Sequence, residues 1–151
     1  MKTQLKRLSL TCLAPLLFLG IHAGESTPQS PDTEEKPMTV QYLEIVTPEV
    51  DATCEALSKA HGIAFGDPVA EFGNARTADL VGGGRIGVRG PLREDETPVV
   101  RPYILVTDIG ASLDAAKAAG GVVALPPMDI PGQGTFAIYI LGGIEHGLWQ
   151  N

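Results

Sequence analysis

Two similar stretches decide the fold of this chain. Residues 42–63 read YLEIVTPEVDATCEALSKAHGI and residues 101–122 read RPYILVTDIGASLDAAKAAGGV, and the two align without a gap at an offset of 59 residues. Each begins like a strand, continues through an acidic helix start and ends at a glycine that stops the helix. Thr47 and Thr107, or the acids that follow them, are candidate N-caps. The pattern indicates one strand–helix module used twice.

Short strand segments follow each predicted helix, separated by glycine and proline. They are predicted at 69–72, 77–81 and 85–89 in the first copy and at 122–125, 135–141 and 144–149 in the second. We therefore predict an α+β fold of two βαβββ modules, at about 38–92 and 98–150, which form a glyoxalase-like curved mixed sheet around a cleft. Glycines 82–84 are predicted to form a hairpin turn, and residues 126–134 an ordered loop, a candidate lid, at the cleft edge.

The first 37 residues are predicted to precede this domain. Residues 1–23 combine a basic start, an uncharged apolar run over 8–21 and a small residue at the end, an order typical of a secretory signal peptide. Residues 24–37 hold three prolines, four acids and no large apolar side chain, and are predicted to form a flexible acidic linker. We therefore expect an exported protein, periplasmic or secreted, without stable membrane insertion after cleavage, whose domain spans 38–150.

The charge and cysteine content narrow the range of partners. Removal of residues 1–23 leaves eight basic and 18 acidic residues, a net charge of −10. Such a surface repels phosphate backbones and anionic lipid heads, so no nucleic-acid partner is expected. Cys54 is then the only cysteine, which excludes an internal disulfide, and it is predicted to pack as a small apolar side chain.

Three motifs carry a resemblance to a known superfamily. They are EIVTPE at 44–49, PPMDIPGQGTFA at 126–137 and Leu-Trp at 148–149. Together with the doubled module, they resemble the vicinal oxygen chelate superfamily of glyoxalase I, bleomycin-resistance proteins, fosfomycin-modifying enzymes and extradiol dioxygenases, and within it a branch of small, poorly characterised bacterial proteins. The resemblance covers 38–150 and implies the fold. It does not select a function, because the superfamily hosts isomerases, transferases, dioxygenases and proteins that only bind ligands.

The resemblance also implies where a metal ion would bind. In metal-using members, a ligand lies seven residues before the acid that opens each helix, and another lies in the last strand of each module. These positions hold Tyr42, Arg101 and Gly147, with the fourth somewhere within 85–89. Arginine and glycine offer no ligand, and tyrosine binds mainly ferric iron. No cofactor is therefore predicted, and a divalent metal is kept only as an alternative.

The two histidines of the domain, His61 and His146, do not change this expectation. His61 directly precedes a helix-stopping glycine, where a partial positive charge suits the helix C-terminus. Glu145 and His146 are neighbours on a predicted strand, so they point to opposite faces and do not hold one ion together.

Strand alternation identifies the candidate site. Tyr42 and Glu44 share one face of the first strand, and Arg101 and Tyr103 occupy the matching places in the second module. Glu44 and Arg101 are the predicted catalytic residues, the first as a general acid or base and the second as an anchor for a carboxylate or carbonyl oxygen. An ion pair that only joins the modules is the structural alternative.

Further side chains are predicted to bind the substrate. The predicted substrate-binding set is Tyr42, Tyr103, Arg76, Arg89, Glu145 and Trp149. Gly147, between Glu145 and Trp149, is predicted to leave space beside the indole for a flat ligand. Closure of the core by Trp149 is the structural alternative.

Three functions are left open at this point. The first is an exported glyoxalase-like protein that binds a small organic molecule as a metal-independent lyase, isomerase or hydrolase through Glu44 and Arg101. The second is a non-catalytic ligand-binding or sequestering protein of the bleomycin-resistance type, expected to form a homodimer. The third is a metal-dependent dioxygenase or isomerase whose ligands lie elsewhere.

Overall fold

The computed structural model describes residues 38–151. The predicted signal peptide (1–23) and acidic linker (24–37) lie outside the described residues. Within the described part of the chain, no helix is long and apolar enough to cross a membrane.

Residues 38–151 form eight strands, two α-helices and one short 3-10 helix. In chain order these are β1 (Val40–Val46), α1 (Val50–His61), β2 (Pro68–Val69), the 3-10 helix (Ala70–Phe72), β3 (Ala75–Asp79), β4 (Arg85–Arg89), β5 (Val99–Leu105), α2 (Ile109–Ala118), β6 (Val122–Ile130), β7 (Gly134–Leu141) and β8 (Ile144–Gln150). The predicted α+β fold of two βαβββ modules is confirmed.

All eight strands belong to one curved mixed sheet, in the order β2-β3-β4-β1-β5-β8-β7-β6. The first and last strands of each module are parallel neighbours, β1 with β4 and β5 with β8. Antiparallel pairing of β1 with β5 joins the modules. From this junction outward the strand order is β1-β4-β3-β2 in the first module and β5-β8-β7-β6 in the second. The two orders are equivalent, so the repeat in the sequence corresponds to a repeat in the structure.

Two apolar clusters lie on opposite faces of the sheet, because residues of opposite parity along each strand supply them. One cluster contains Tyr42, Tyr103 and Trp149 from β1, β5 and β8. The other places Leu113 of α2 against Leu148. Cys54 of α1 is buried, as predicted, and its burial raises the pKa of the thiol.

The two helices begin and end close to the predicted signals. Gly62 follows α1 in the left-handed conformation, with φ of 69°, and its N–H donates to the Ser58 carbonyl. At the start of α2, the Asp108 carboxylate accepts a hydrogen bond of 2.8 Å from the Ala111 N–H. No side chain caps α1 in this way.

The strand predicted at 69–72 is wrong beyond its first residue. The chain leaves β2 after Val69 and forms the 3-10 helix, after which Gly73 and Asn74 adopt left-handed φ values of 63° and 61°. Two successive left-handed residues cannot continue a strand. The strand predicted at 77–81 lies at Ala75–Asp79, since the turn before β4 begins earlier than expected.

The predicted loop and lid at 126–134 is also wrong. Strand β6 continues through Pro126 and Pro127 to Ile130, with irregular register against β7, and only residues 131–133 form the turn. β6 lies at the edge of the sheet, with no neighbouring strand on its outer side among residues 38–151. A proline, which has no N–H, therefore leaves no carbonyl group on that side without a hydrogen-bond partner. The proline-rich motif is therefore an edge strand with bulges.

Candidate functional site

The pairing of β1 with β5 brings the four predicted central residues together. In this register Glu44 lies opposite Arg101, and Tyr42 lies opposite Tyr103. All four side chains are buried and line one cavity on the concave face of the sheet. The predicted meeting of these residues between the two modules is confirmed.

Glu44 is bonded on both oxygens of its carboxylate. The Arg89 Nε–H donates to Oε1 at 2.7 Å. Arg101 Nη1 and the Tyr103 hydroxyl both donate to Oε2, the latter at 3.1 Å. A carboxylate this deeply buried requires such partners, because an unpaired charge costs several kcal/mol in the interior.

These contacts extend into a row of alternating charges. Arg89 also donates to both oxygens of Glu96, at 2.9 and 2.8 Å. Arg101 donates through Nε and Nη2 to Glu145, the Nε contact measuring 2.9 Å. We call this row, Glu96–Arg89–Glu44–Arg101–Glu145, the ionic chain. Its last four members lie on four adjacent strands, β4, β1, β5 and β8.

The ionic chain stabilises the charged forms of Glu96, Arg89 and Arg101. Hydrogen bonds from Arg89 lower the pKa of Glu96 to about 2, against an opposing effect of burial, and the Leu92 N–H contributes further. Burial alone would lower the pKa of Arg89 and Arg101, but their bonds to Glu96 and Glu145 raise it above the ordinary value. Both guanidinium groups are therefore charged at every pH at which the protein is folded.

Aromatic rings form the apolar wall beside the ionic chain. The Tyr42 ring centroid lies 5.1 Å from that of Phe72, 5.7 Å from that of Tyr103 and 5.9 Å from that of Trp149. Phe136 meets the Tyr103 ring edge-on at 6.0 Å. We call these five residues the aromatic wall. The spacings are typical of favourable aromatic pairs.

The cavity between the wall and the ionic chain has a volume of about 380 Å³. Burial, and then the nearby Glu44 carboxylate, raise the pKa of Tyr42 and Tyr103, so both phenols stay protonated. The Tyr42 hydroxyl and the Trp149 Nε1 are buried without a hydrogen-bond partner among the described residues. Both side chains line the cavity.

Solved structures with this architecture cover about three quarters of the chain. A hypothetical protein from Bacillus halodurans C-125 is 13% identical, with a TM-score of 0.61 over 77% of this chain and 96% of that chain. Methylmalonyl-CoA epimerase from Mycobacterium tuberculosis is 16% identical, with a TM-score of 0.55 over 73% and 85%. The Streptomyces coelicolor epimerase in complex with 2-nitronate-propionyl-CoA is 18% identical, with a TM-score of 0.54 over 74% and 96%.

The chain has the vicinal oxygen chelate fold. The fold that the sequence resemblance implied is thus confirmed. No family model and no curated protein matches the sequence. Identities this low show the fold and carry no activity over to this chain.

The metal positions of the vicinal oxygen chelate fold hold unsuitable residues here. Gly147 lies in register with Tyr103. Glu44 is the residue of the first module that matches Tyr103, and it lies in register with Gly87. Gly87 is therefore the fourth metal position, which the sequence placed only within 85–89. Neither glycine has a side chain that could bind a metal ion. Arg101 places a positive charge where a metal ligand would be needed. Among residues 38–151, no group of three His, Cys, Asp or Glu side chains could hold an ion. The residues do not fit a His/Glu metal centre.

Gly147 has a different role from the predicted one. A Cβ at this position would overlap the Tyr103 ring, and a Cβ at Gly87 would overlap the Tyr42 hydroxyl. The space beside each glycine is therefore filled by a tyrosine of the same module rather than left for a ligand beside Trp149.

The predicted substrate-binding residues lie in the cavity with one exception. Tyr42, Arg89, Tyr103, Glu145 and Trp149 line it. The prediction for Arg76 is wrong. Arg76 lies in β3 and pairs with Val88 of β4, so its side chain is on the other face of the sheet from Arg89. Its guanidinium group donates to Asp51 of α1 at 3.0 Å.

The residues of the cavity that were not predicted from the sequence include three that form the aromatic wall and the ionic chain, Phe72, Phe136 and Glu96. Phe136 shares a face of β7 with Ile138, so alternation along the predicted strand 135–141 could have identified it. Phe72 is placed by the unpredicted 3-10 helix. Glu96 lies between the modules in an acidic stretch that resembles an exposed connection, and no local signal distinguishes it from Glu94 or Asp95.

Histidine placement agrees with the sequence prediction. His61 is the last residue of α1 and is exposed. His146 stacks on Tyr139 at 5.1 Å, on the face of the sheet away from Glu145 and the cavity.

Substitution of Glu44 tests whether the ionic chain holds the modules together. We expect Glu44→Gln to lower the free energy of unfolding by about 3 kcal/mol or more, because two buried guanidinium groups lose their shared counter-ion. Urea unfolding measures the change. Arg76→Gln is the matched control: it breaks a largely exposed pair with Asp51 and should cost less than about 1 kcal/mol. Equal stabilities for the two variants would contradict a structural role for Glu44.

The low pKa of Glu96 predicts a specific acid sensitivity. The folded-state pKa of about 2 lies below the ordinary 4.5, so ionised Glu96 stabilises the fold above about pH 4.5, and this contribution is lost as the pH falls towards 2. The wild type should exceed Glu96→Gln in free energy of unfolding by on the order of 3 kcal/mol at neutral pH, and the two should converge in acid. Urea unfolding at several pH values measures this. Asp95→Asn breaks an exposed pair and is the control: its free energy of unfolding should lie close to that of the wild type at every pH. A difference between the wild type and Glu96→Gln that does not change with pH would refute the low pKa of Glu96.

Proposed function

We propose that this protein binds a small organic molecule, without altering it, in the cavity between its two modules. The observation that carries the proposal is a cavity of about 380 Å³ with an aromatic wall on one side and charged groups on the other. Small-ligand sites are typically concave, mostly apolar and supplied with a few polar groups, at about 300–1,000 Å³. The volume here lies within that range.

The contacts of Glu44 favour binding over the acid–base role predicted for it. A general base needs an unoccupied oxygen within reach of the proton it removes. Both Glu44 oxygens accept hydrogen bonds from charged or phenolic donors. We therefore assign Glu44 to holding the two modules in register, which was the structural alternative.

A metal-independent lyase, isomerase or hydrolase is the second candidate, and one observation favours it. The side chain of Glu145 is 40% exposed and lines the cavity, so its carboxylate is the one in the ionic chain that a substrate could reach. In such an enzyme Glu145, rather than Glu44, would move the proton.

The only tryptophan of the chain provides the binding assay. Trp149 lines the cavity, so we expect a bound aromatic molecule to change its fluorescence saturably in a titration with a panel of small aromatic compounds. Phe136→Ala removes one ring of the aromatic wall and should weaken binding by about three- to tenfold. Phe65→Ala, the same change outside the cavity, should leave the affinity unchanged.

Each result of this titration has a defined meaning. Binding that is unaffected by Phe136→Ala, or weakened equally by Phe65→Ala, would place the ligand elsewhere and refute the proposal. Mass spectrometry of the recovered ligand separates the two candidates: an unchanged mass supports a binding protein, and a product that requires Glu145 supports an enzyme.

We also propose that the protein acts outside the cytoplasm, on the basis of the predicted signal peptide at 1–23. Expression of the full chain in a bacterium should yield a periplasmic or secreted protein that begins near residue 24, as read by N-terminal sequencing. Recovery of the uncleaved chain from the cytoplasm would contradict export. The homodimer stays a prediction.

A further inference from the structure

The positive charges in the cavity are already neutralised by protein carboxylates. Arg89 donates to Glu44, to both oxygens of Glu96 and to the Gly90 carbonyl at 3.0 Å. Arg101 donates through Nη1 to Glu44 and, at 3.5 Å, to the Tyr103 hydroxyl, and through Nε and Nη2 to Glu145. Neither guanidinium group therefore has an unused pair of donors with which to clamp a carboxylate or phosphate of a ligand.

The ionic chain carries one excess negative charge, because three glutamates alternate with two arginines. The side chains of Glu44 and Glu96 are only 8% and 10% exposed, whereas that of Glu145 is 40% exposed. Both bonds from Arg101 fall on the Glu145 Oε2, and no described residue donates to its Oε1. The excess charge therefore faces the cavity at Glu145.

Two further charged residues line the cavity and do not alter this balance. Glu71 and Arg93 carry opposite charges, and both are exposed. Arg93 is 73% exposed and pairs with Asp95 at 3.3 Å. Charges this exposed are screened by solvent and contribute little to the field inside the cavity.

The geometry of β8 sets a distance between Glu145 and the aromatic wall. Tyr103 lies in register with Gly147, two residues from Glu145, which corresponds to about 7 Å along the strand. Phe136 meets the Tyr103 ring at 6.0 Å on the same side. A ring against these two residues and a cation at Glu145 are thus separated by the length of a short alkyl chain.

We propose that the cavity is selective for aromatic amines, with the ring against Tyr103 and Phe136 and the ammonium group on the Glu145 carboxylate. The inference rests on the proposed function and names the ligand class for the same site. It predicts that anionic ligands are rejected, since they would meet an excess negative charge and no free guanidinium group.

Three probes that share one ring test the selectivity. Phenethylamine, phenylethanol and phenylacetate differ in charge at the end of a short chain, and none absorbs where tryptophan is excited most selectively. In titrations of Trp149 fluorescence at low salt, we expect phenethylamine to bind about tenfold more tightly than phenylethanol, and phenylacetate to bind most weakly. Added salt should reduce the advantage of the amine.

Glu145→Gln provides the decisive variant. It removes the negative charge and leaves Nε and Nη2 of Arg101 facing a neutral amide, so the preference for the amine should be lost: phenethylamine should lose about tenfold in affinity, and phenylacetate should gain. Glu145 pairs with buried Arg101, so some loss of stability is expected, and a single cooperative melting transition together with retained binding of phenylethanol should show that the variant is folded. Glu55→Gln, which removes the same charge from the exposed face of α1 outside the cavity, should leave the order of the probes unchanged.

The outcomes separate this inference from the proposed function. Equal or tighter binding of phenylacetate to the wild type, or an order that Glu145→Gln leaves unchanged, would overturn the amine selectivity while the cavity remained a binding site. Absence of binding by all three probes would also overturn it, and the wider titration with Phe136→Ala then decides whether the cavity binds any aromatic molecule.

Discussion

The burial of Glu44 between Arg89 and Arg101 is the constraint on which the rest of the structure depends. A carboxylate whose side chain is only 8% exposed is tolerated only with full pairing, and its partners come from different modules, Arg89 from β4 and Arg101 from β5. A shift of one residue between β1 and β5 would turn Arg101 to the other face and leave the charge unpaired. The ion pairs and the aromatic side chains beside them thus favour the same register at the junction.

The same constraint shapes the cavity. Neighbouring strands lie about 4.8 Å apart, a spacing that long Arg and Glu side chains bridge, so the ionic chain crosses four strands with one residue from each. The tyrosines beside it lie over Gly87 and Gly147, where any side chain would displace them. Charged groups and phenols therefore occupy the centre of the fold, and the open volume is left between them and Phe72, Phe136 and Trp149.

The sequence predicted the parts of the structure that depend on periodicity. The repeat at an offset of 59 residues specified the modules, and alternation along β1 and β5 placed Glu44 and Arg101 together. The prediction failed where contacts between residues distant in the sequence determine the structure. The face of Arg76 depends on where β3 begins, the strand at Pro126 depends on its place at the sheet edge, and Glu96 is selected only by its contact with Arg89. None of these is encoded within a few neighbouring residues.

The two modules repeat in topology but differ at the ends of the ionic chain, and this difference bears on function. At one end the Glu96 side chain is 10% exposed and accepts hydrogen bonds from Arg89 and, at 2.7 Å, from the Leu92 N–H, so its carboxylate is fully engaged. At the other end Glu145 is partly exposed and keeps one oxygen without a donor among the described residues. A group can recognise a ligand only with bonding capacity that the protein has not used. The carboxylate of the ionic chain that can still bond a ligand therefore lies in the second module, whereas Glu96, between the modules, closes the other end of the ionic chain.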